Sequence, residues 1–245
     1  MSVEREEYIT SGDARIWTVT QGSGIPVLLC NGGPGSADYL GPVASMIDDL
    51  TCVIRFEQRG CGRSDHVLPY DLENCLFDLE SIRKFYGIDK WIVGGHSWGA
   101  NLALAYALEY QRNVLGLIYI AGNGIQHDRE WTQDYHRNRT EKGETSPPEV
   151  QSGNHEVNRQ GNDSWFKYIK SPDLLEKISE LTIPSLFVHG TADIRPGWPA
   201  KQIANLMANA VYETINAEHY IWLFQPDELK HSLRKFLRDS EPDTC

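Results

Sequence analysis

Short apolar runs recur along this chain and alternate with amphipathic stretches. Pro26-Val27-Leu28-Leu29-Cys30 ends at Asn31-Gly32-Gly33-Pro34-Gly35. Cys52 to Phe56, Lys90 to Val93, Val114 to Ala121, Pro184 to His189 and Val211 to Ile215 follow. A strand that is apolar at successive positions has no water-facing side, so it fits a sheet covered on both faces. Asp71 is placed to cap a helix in which Leu72, Cys75, Leu76, Leu79, Ile82, Phe85 and Tyr86 repeat at helical spacing. Asn101 to Tyr110, rich in Ala and Leu, reads as a helix packed closely on the sheet, and Pro226 to Leu237 as the last helix. Strands alternating with helices give an α/β chain with a mostly parallel central sheet flanked by helices. Ile16 to Thr20 alternates instead and reads as an antiparallel edge strand.

One stretch breaks this rhythm. From Gly124 to Ile178 the chain is polar, holds Pro147-Pro148 and carries Trp131, Tyr135, Trp165, Phe166 and Tyr168. A structureless loop of that length is uncommon in a compact domain unless it is a lid or an insertion. The expected organisation is therefore one domain from residues 1–123 and 179–245, with 124–178 as a small lid containing short helices.

Composition narrows the function. The net charge of -11 repels phosphate backbones, which argues against nucleic acid as a partner. No run approaches the length of a membrane span, and the polar first thirty residues lack a signal-peptide pattern, so a cytoplasmic protein is expected. Cys30, Cys52, Cys61, Cys75 and Cys245 form no CxxC or Cys/His cluster and read as free thiols in a reducing compartment. No H-E-x-x-H or dinucleotide pattern occurs, so no metal and no cofactor are expected.

The chemistry concentrates at Gly95-His96-Ser97-Trp98-Gly99, between an expected strand and an expected helix. In that context G-x-S-x-G is a nucleophile elbow, a strained turn that pushes the serine oxygen out of the sheet. A serine hydroxyl needs a base within reach and an acid to orient that base. In chains with this elbow the acid and then the histidine follow the serine. Asp193 lies after the run Ser185-Leu186-Phe187, and His219 lies after the run ending at Ile215. Both fall at carboxyl ends of strands, where open parallel sheets build sites. Glu218 abuts the base too closely to orient it. His96 is read as a support of the elbow and His189 as packing, while His127, His136 and His155 of the lid are within possible reach of a substrate. Negative charge develops on a carbonyl oxygen under attack and needs fixed donors. Trp98 N–H is one. Pro34 has no N–H, so Gly32 or Gly33 supplies the other, and Gly33 is preferred.

Asn31 to Gly35, Glu57-Gln58-Arg59-Gly60-Cys61-Gly62-Arg63-Ser64, Gly94 to Gly99, Asp193-Ile194-Arg195-Pro196 and His219-Tyr220-Ile221-Trp222 together resemble the proline iminopeptidase group of α/β-hydrolases. The resemblance implies the α/β-hydrolase fold, with Ser97, Asp193 and His219 as catalytic triad and Gly33 and Trp98 at the oxyanion hole. Three departures stand out. Asn31 replaces the usual His; His96 stands where the peptidases usually have Gly and esterases often have His; and the lid is shorter than the peptidases' helical cap, which carries the carboxylates that bind a free amine. The expected activity is hydrolysis of small ester or amide substrates through an acyl-enzyme on Ser97, with a proline-iminopeptidase-type aminopeptidase as the alternative. A lactonase or perhydrolase using the same triad, or a non-catalytic ligand receptor, are further alternatives. The lid acids Glu130, Glu141, Glu144, Glu149 and Glu156 read mostly as surface charges, with Glu156 the one best placed to meet a substrate ammonium.

Overall fold

A computed structural model describes residues 3–125, 129–150 and 153–240; His127 and Cys245 lie outside them. The strands are β1 (Arg5–Ser11), β2 (Ala14–Gly22), β3 (Ile25–Cys30), β4 (Thr51–Phe56), β5 (Trp91–His96), β6 (Val114–Ile120), β7 (Ser185–Gly190) and β8 (Ala210–Ile215). They form one sheet in the order β1-β2-β4-β3-β5-β6-β7-β8. The β1–β2 and β2–β4 pairs are antiparallel, and every pair from β4 onward is parallel. The described helices are α1 (Gly41–Ala44), α2 (Leu72–Phe85), α3 (Trp98–Glu109), α4 (Arg129–Lys142), α5 (His155–Tyr168), α6 (Leu174–Glu180), α7 (Trp198–Leu206), α8 (Ile221–Phe224) and α9 (Pro226–Asp239). None is long and apolar enough to cross a membrane.

The runs in β3, β4, β5, β6 and β7 are apolar because both faces of their strands are covered; Val211 to Ile215, in β8 at the far edge of the sheet, departs from this and is largely half-buried or exposed. In β3, Leu28 and Cys30 join a core with Val93, Tyr119 and Phe187, under α2, α3 and α7. Val27 and Leu29 point the other way, into a core with Ile92, Ile118 and Leu186 under α1, α8 and α9. Each such side chain contributes roughly 1.5–3 kcal/mol by leaving water. Helix α2 starts where its cap predicts: the Asp71 carboxylate accepts from Asn74 N–H. Helix α3 begins at Trp98, three residues before the expected Asn101, because Ser97, directly after the strand, is already its N-cap and the small residues that follow are buried.

The edge differs from expectation. Ile16 to Thr20 lies inside the sheet, between β1 and β4, and β1 is the edge strand. Its Arg5-Glu6-Glu7 start hides the strand pattern, and charges of this kind suit an edge that must not pair with another chain. The hairpin is fastened by a buried ion pair. Arg59, after β4, donates to Asp78 of α2 at 2.8 Å and to the Ser11 carbonyl at 3.3 Å, while Ser11 Oγ donates to Asp78 at 2.6 Å.

The segment after β6 holds α4, α5 and α6. Helix α6 runs past the expected boundary at Ile178 to Glu180, since Leu174 and Ile178 belong to the main core. Helix α5 buries Val157, Gly161 and Trp165 against the domain.

Removing one partner of a buried pair strands the other charge. Asp78→Ala is expected to lower unfolding stability by about 3–5 kcal/mol, measured as a lower urea midpoint; a midpoint equal to wild type would show that the hairpin does not depend on this pair.

Candidate active site

The strand order creates the site. The chain leaves β3 towards β4 on one side and later leaves β5 towards β6 on the other, so the carboxyl ends of the neighbours β3 and β5 diverge and leave a crevice. The loop Asn31 to Gly35 follows β3, and Ser97 follows β5.

Ser97 takes φ 58° and ψ -124°, a left-handed conformation that is strained for a residue with a side chain. Its N–H is tied to Ile120 O at 2.9 Å. The turn tolerates no bulk behind it: a Cβ on Gly99 would stand 2.1 Å from Cys30 O, and one on Gly95 2.2 Å from Gly99 O. Ser97 is half-exposed and lines a cavity of about 370 Å³ with Gly33 and Trp98.

Asp193 and His219 come together from the loops after β7 and β8. His219 Nδ1 donates to Asp193 Oδ2 at 2.6 Å, and both side chains are buried. The second carboxylate oxygen accepts from Arg195 N–H at 2.9 Å and from the Arg195 guanidinium at 3.3 Å. Burial opposes the Asp193 charge, but His219 and Arg195 outweigh it and hold the carboxyl below its ordinary range. Burial, and then the Arg195 cation, push the His219 imidazole below its usual value against the pull of Asp193. Among the described residues His219 is the one histidine hydrogen-bonded to a carboxylate.

His96 does more than pack beside the elbow. Its Nε2 meets His219 O at 3.1 Å, its Nδ1 meets Tyr39 Oη at 2.9 Å, and Tyr39 Oη accepts from Gly32 N–H at 2.7 Å. Burial keeps His96 neutral, with the neighbouring His219 adding to that effect. With the proton on Nε2 every link is satisfied: His96 donates to His219 O, Tyr39 donates to His96 Nδ1, and Gly32 donates to Tyr39. Gly32 N–H is thereby occupied. Gly33 N–H has no hydrogen-bond partner among the described residues, and neither has Trp98 N–H at the first position of α3. Asn31, in place of the usual His, donates to Ser36 O at 2.8 Å and to Ala37 O at 3.3 Å and shapes the loop from within.

The lid acids fall out differently from the sequence reading. Glu156 is exposed and pairs with Arg159 at 2.6 Å. Glu144 is the acid of this segment beside the Asp193–His219 pair: it is ion-paired with Arg195, and its carboxylate lies within 4.8 Å of the Asp193 and His219 ligand atoms. The backbone of Thr145 donates to Glu218 at 3.0 Å, so this segment is fastened to the base loop as well. Tyr39 and Asn158 are absent from the sequence reading, which counts Glu144 only among the acids that are mostly surface charges. Nothing in their local patterns marks them, and Arg195 was noted only as part of a loop. The described lid histidines, His136 and His155, do not line the cavity.

Comparison with known proteins follows this geometry. The α/β hydrolase fold family profile matches residues 25–140. A proline iminopeptidase of Saccharolobus solfataricus is 42% identical over 107 residues, 42% of this chain and 34% of the relative, so the chain spans about a third of that relative's length. Another, from Heyndrickxia coagulans, is 26% identical across 88% of this chain and 91% of its own. Among solved structures, a thermophilic esterase from Thermogutta terrifontis superposes with a TM-score of 0.79 at 20% identity, covering 97% of this chain and 100% of the other. The chain has the α/β-hydrolase fold and is similar to the proline iminopeptidases.

The imidazole of His219 should titrate below about 6.5, the ordinary histidine value. Histidine NMR titration of wild type against His219→Gln assigns the resonance; a pKa above 6.5 would mean that Asp193 overrides burial and Arg195.

Proposed function

We propose that this protein is a serine hydrolase of small esters and amides, with Ser97 as nucleophile, His219 as base and Asp193 as its orienting acid. The observation that carries the reading is the strained Ser97 backbone at the switch point, next in the chain to the His96 that meets the His219 carbonyl, together with a buried Asp193–His219 pair and two unengaged backbone donors. Chemically, Ser97 Oγ attacks the substrate carbonyl carbon and its proton passes to His219 Nε2. Asp193 keeps the Nδ1 proton in place and stabilises the imidazolium. The carbonyl oxygen becomes an oxyanion facing Gly33 N–H and Trp98 N–H, each worth on the order of 3 kcal/mol in the transition state. Collapse breaks the bond to the leaving group, which takes the proton from His219. Water then repeats the sequence on the acyl-enzyme, releasing the acid and restoring Ser97. A lactone, as an internal ester, enters the same scheme.

The cavity favours neutral acyl groups. Its lining includes the amides of Asn123, Asn158 and Asn162, the rings of Tyr135 and Trp165, and Arg195, whose charge is met by Asp193 and Glu144; no carboxylate is among its described residues. Recognition of a free ammonium requires desolvated carboxylates near the acyl side. Glu156 faces Arg159, and Glu144 is engaged by Arg195. The aminopeptidase reading keeps one support, the likeness to relatives called proline iminopeptidases. We also propose residues 124–178 as a lid over the cavity and the cytoplasm as the location, in keeping with the free thiols of Cys30, Cys52, Cys61 and Cys75.

A fluorophosphonate reagent should modify Ser97 alone, and Ser97→Ala should lose about a thousandfold or more in turnover of p-nitrophenyl esters. His219→Ala should lose nearly as much. An adduct mapped to another serine would overturn the assignment.

Because the base must be neutral, kcat/KM should fall with decreasing pH only below about 6.5, and Asp193→Asn should slow acylation while the protein stays folded. An acid limb above that value would point to a different base.

Equal kcat/KM for prolyl anilide and its N-acetyl form would eliminate amine recognition. A strong preference for the free amine would restore the aminopeptidase reading, and Glu144→Gln would then be expected to raise KM.

A further inference from the structure

The oxyanion loop is held from both sides, and one of the two holds comes from the inserted segment. Gly33, at φ 121°, has no side chain to restrain its peptide. On its amino side the preceding N–H, that of Gly32, is fixed by Tyr39 Oη. On its carboxyl side Asn158 of α5 takes over: Asn158 Nδ2 donates to Gly33 O at 2.7 Å and to Pro34 O at 3.0 Å. The Asn158 side chain is itself oriented, since its Oδ1 accepts from Asn162 Nδ2 at 3.2 Å. The same helix is locked onto the loop at two further points. Asn154 N–H donates to Gly35 O at 2.8 Å. At Gly161 a Cβ would stand 2.7 Å from Pro34 and 3.2 Å from the Trp98 ring, so α5 lies directly against Trp98 and against the residue that follows Gly33.

We propose that Asn158 is a positioning residue for the oxyanion hole: it clamps the Gly33 and Pro34 carbonyls onto α5 while Tyr39 holds the peptide that carries Gly32 N–H, so the Gly32–Gly33 peptide, which carries the free Gly33 N–H, is constrained between two fixed neighbours. The inference rests on the hydrolase reading of Ser97. Rotation of the Gly32–Gly33 peptide would turn the Gly32 carbonyl towards the developing oxyanion in place of Gly33 N–H, setting a negative dipole where the donor should stand. Preorganisation matters because a donor that must rotate into place during the reaction costs its reorganisation at the barrier. A helix of the lid segment would thus complete the catalytic geometry rather than only cover it.

The test uses p-nitrophenyl acetate as substrate and phenylboronic acid as a probe that forms a tetrahedral adduct on the serine. Asn158→Asp keeps the shape but faces two carbonyls with a carboxylate; Asn158→Ala removes the donor. Arg159→Ala, on the exposed side of the same helix, serves as a control expected to match wild type.

Asn158→Asp should lower kcat by about tenfold to a hundredfold, with KM within about twofold, and boronate affinity should weaken in parallel with kcat/KM. Asn158→Ala should show the same split with a smaller loss, and it decides on the same quantities if Asn158→Asp does not fold. A raised KM with unchanged kcat would make Asn158 a substrate contact and overturn the proposal, as would wild-type kcat in both variants. Failure of the parent reading looks different: Ser97→Ala would then retain turnover, or wild type would take no phosphonate at Ser97.

Discussion

A residue with a side chain held in left-handed backbone at the end of β5 is the constraint on which the rest of this structure depends. Ser97 can sit at φ 58° only because its surroundings over-determine it. Its N–H is bonded into β6, and the glycines around it let α3 start almost in contact with the end of β3. That close approach places the loop after β3 beside the start of α3. It brings Gly33 N–H and Trp98 N–H to one cavity with the serine. The parallel sheet contributes rigidity, since β3 and β5 are buried on both faces and neither can shift without opening a core.

Around that point the polar groups form a continuous chain. Gly32 N–H, Tyr39, His96 and the His219 carbonyl connect the loop after β3 to the loop after β8. Asp193, Arg195 and Glu144 connect the acid loop to the inserted segment. Buried charges and dipoles are costly unless every partner is present, so such a network holds its members in one arrangement. Arg195 has two effects: it supports the Asp193 carboxylate, and its positive charge disfavours a second cation on His219. A base kept neutral near neutral pH is the form that can accept a serine proton.

The inserted segment shows where sequence patterning gives out. Its polarity and its aromatic residues marked it as something apart from the alternating strands and helices, and α4 and α5 do lie there. Which of its acids approaches the centre was not legible. Glu156 looked suitable because aromatic residues follow it, yet one helical turn places it against Arg159 and solvent. Glu144, with no pattern around it, reaches Arg195 across 51 positions of chain. The edge strand was hidden for a related reason: Arg5, Glu6 and Glu7 lie on an edge, where burial imposes no alternation.

By itself the sequence determined what depends on local chemistry. Double-sided burial shows in the apolar runs of β3, β5, β6 and β7, helix entry in the cap at Asp71, and the elbow in Gly95-His96-Ser97-Trp98-Gly99. The order of Ser97, Asp193 and His219 after strand ends was readable because each lies on a loop whose position follows from the strand before it. Tertiary structure alone decided which glycine N–H is free, since that depends on Tyr39 occupying Gly32. It also decided that α5 grips the loop after β3 through Asn158, across 125 positions of chain. Contacts of that kind are set by how α5 packs against the sheet, and no local propensity of an asparagine on a polar helix records where its amide will end.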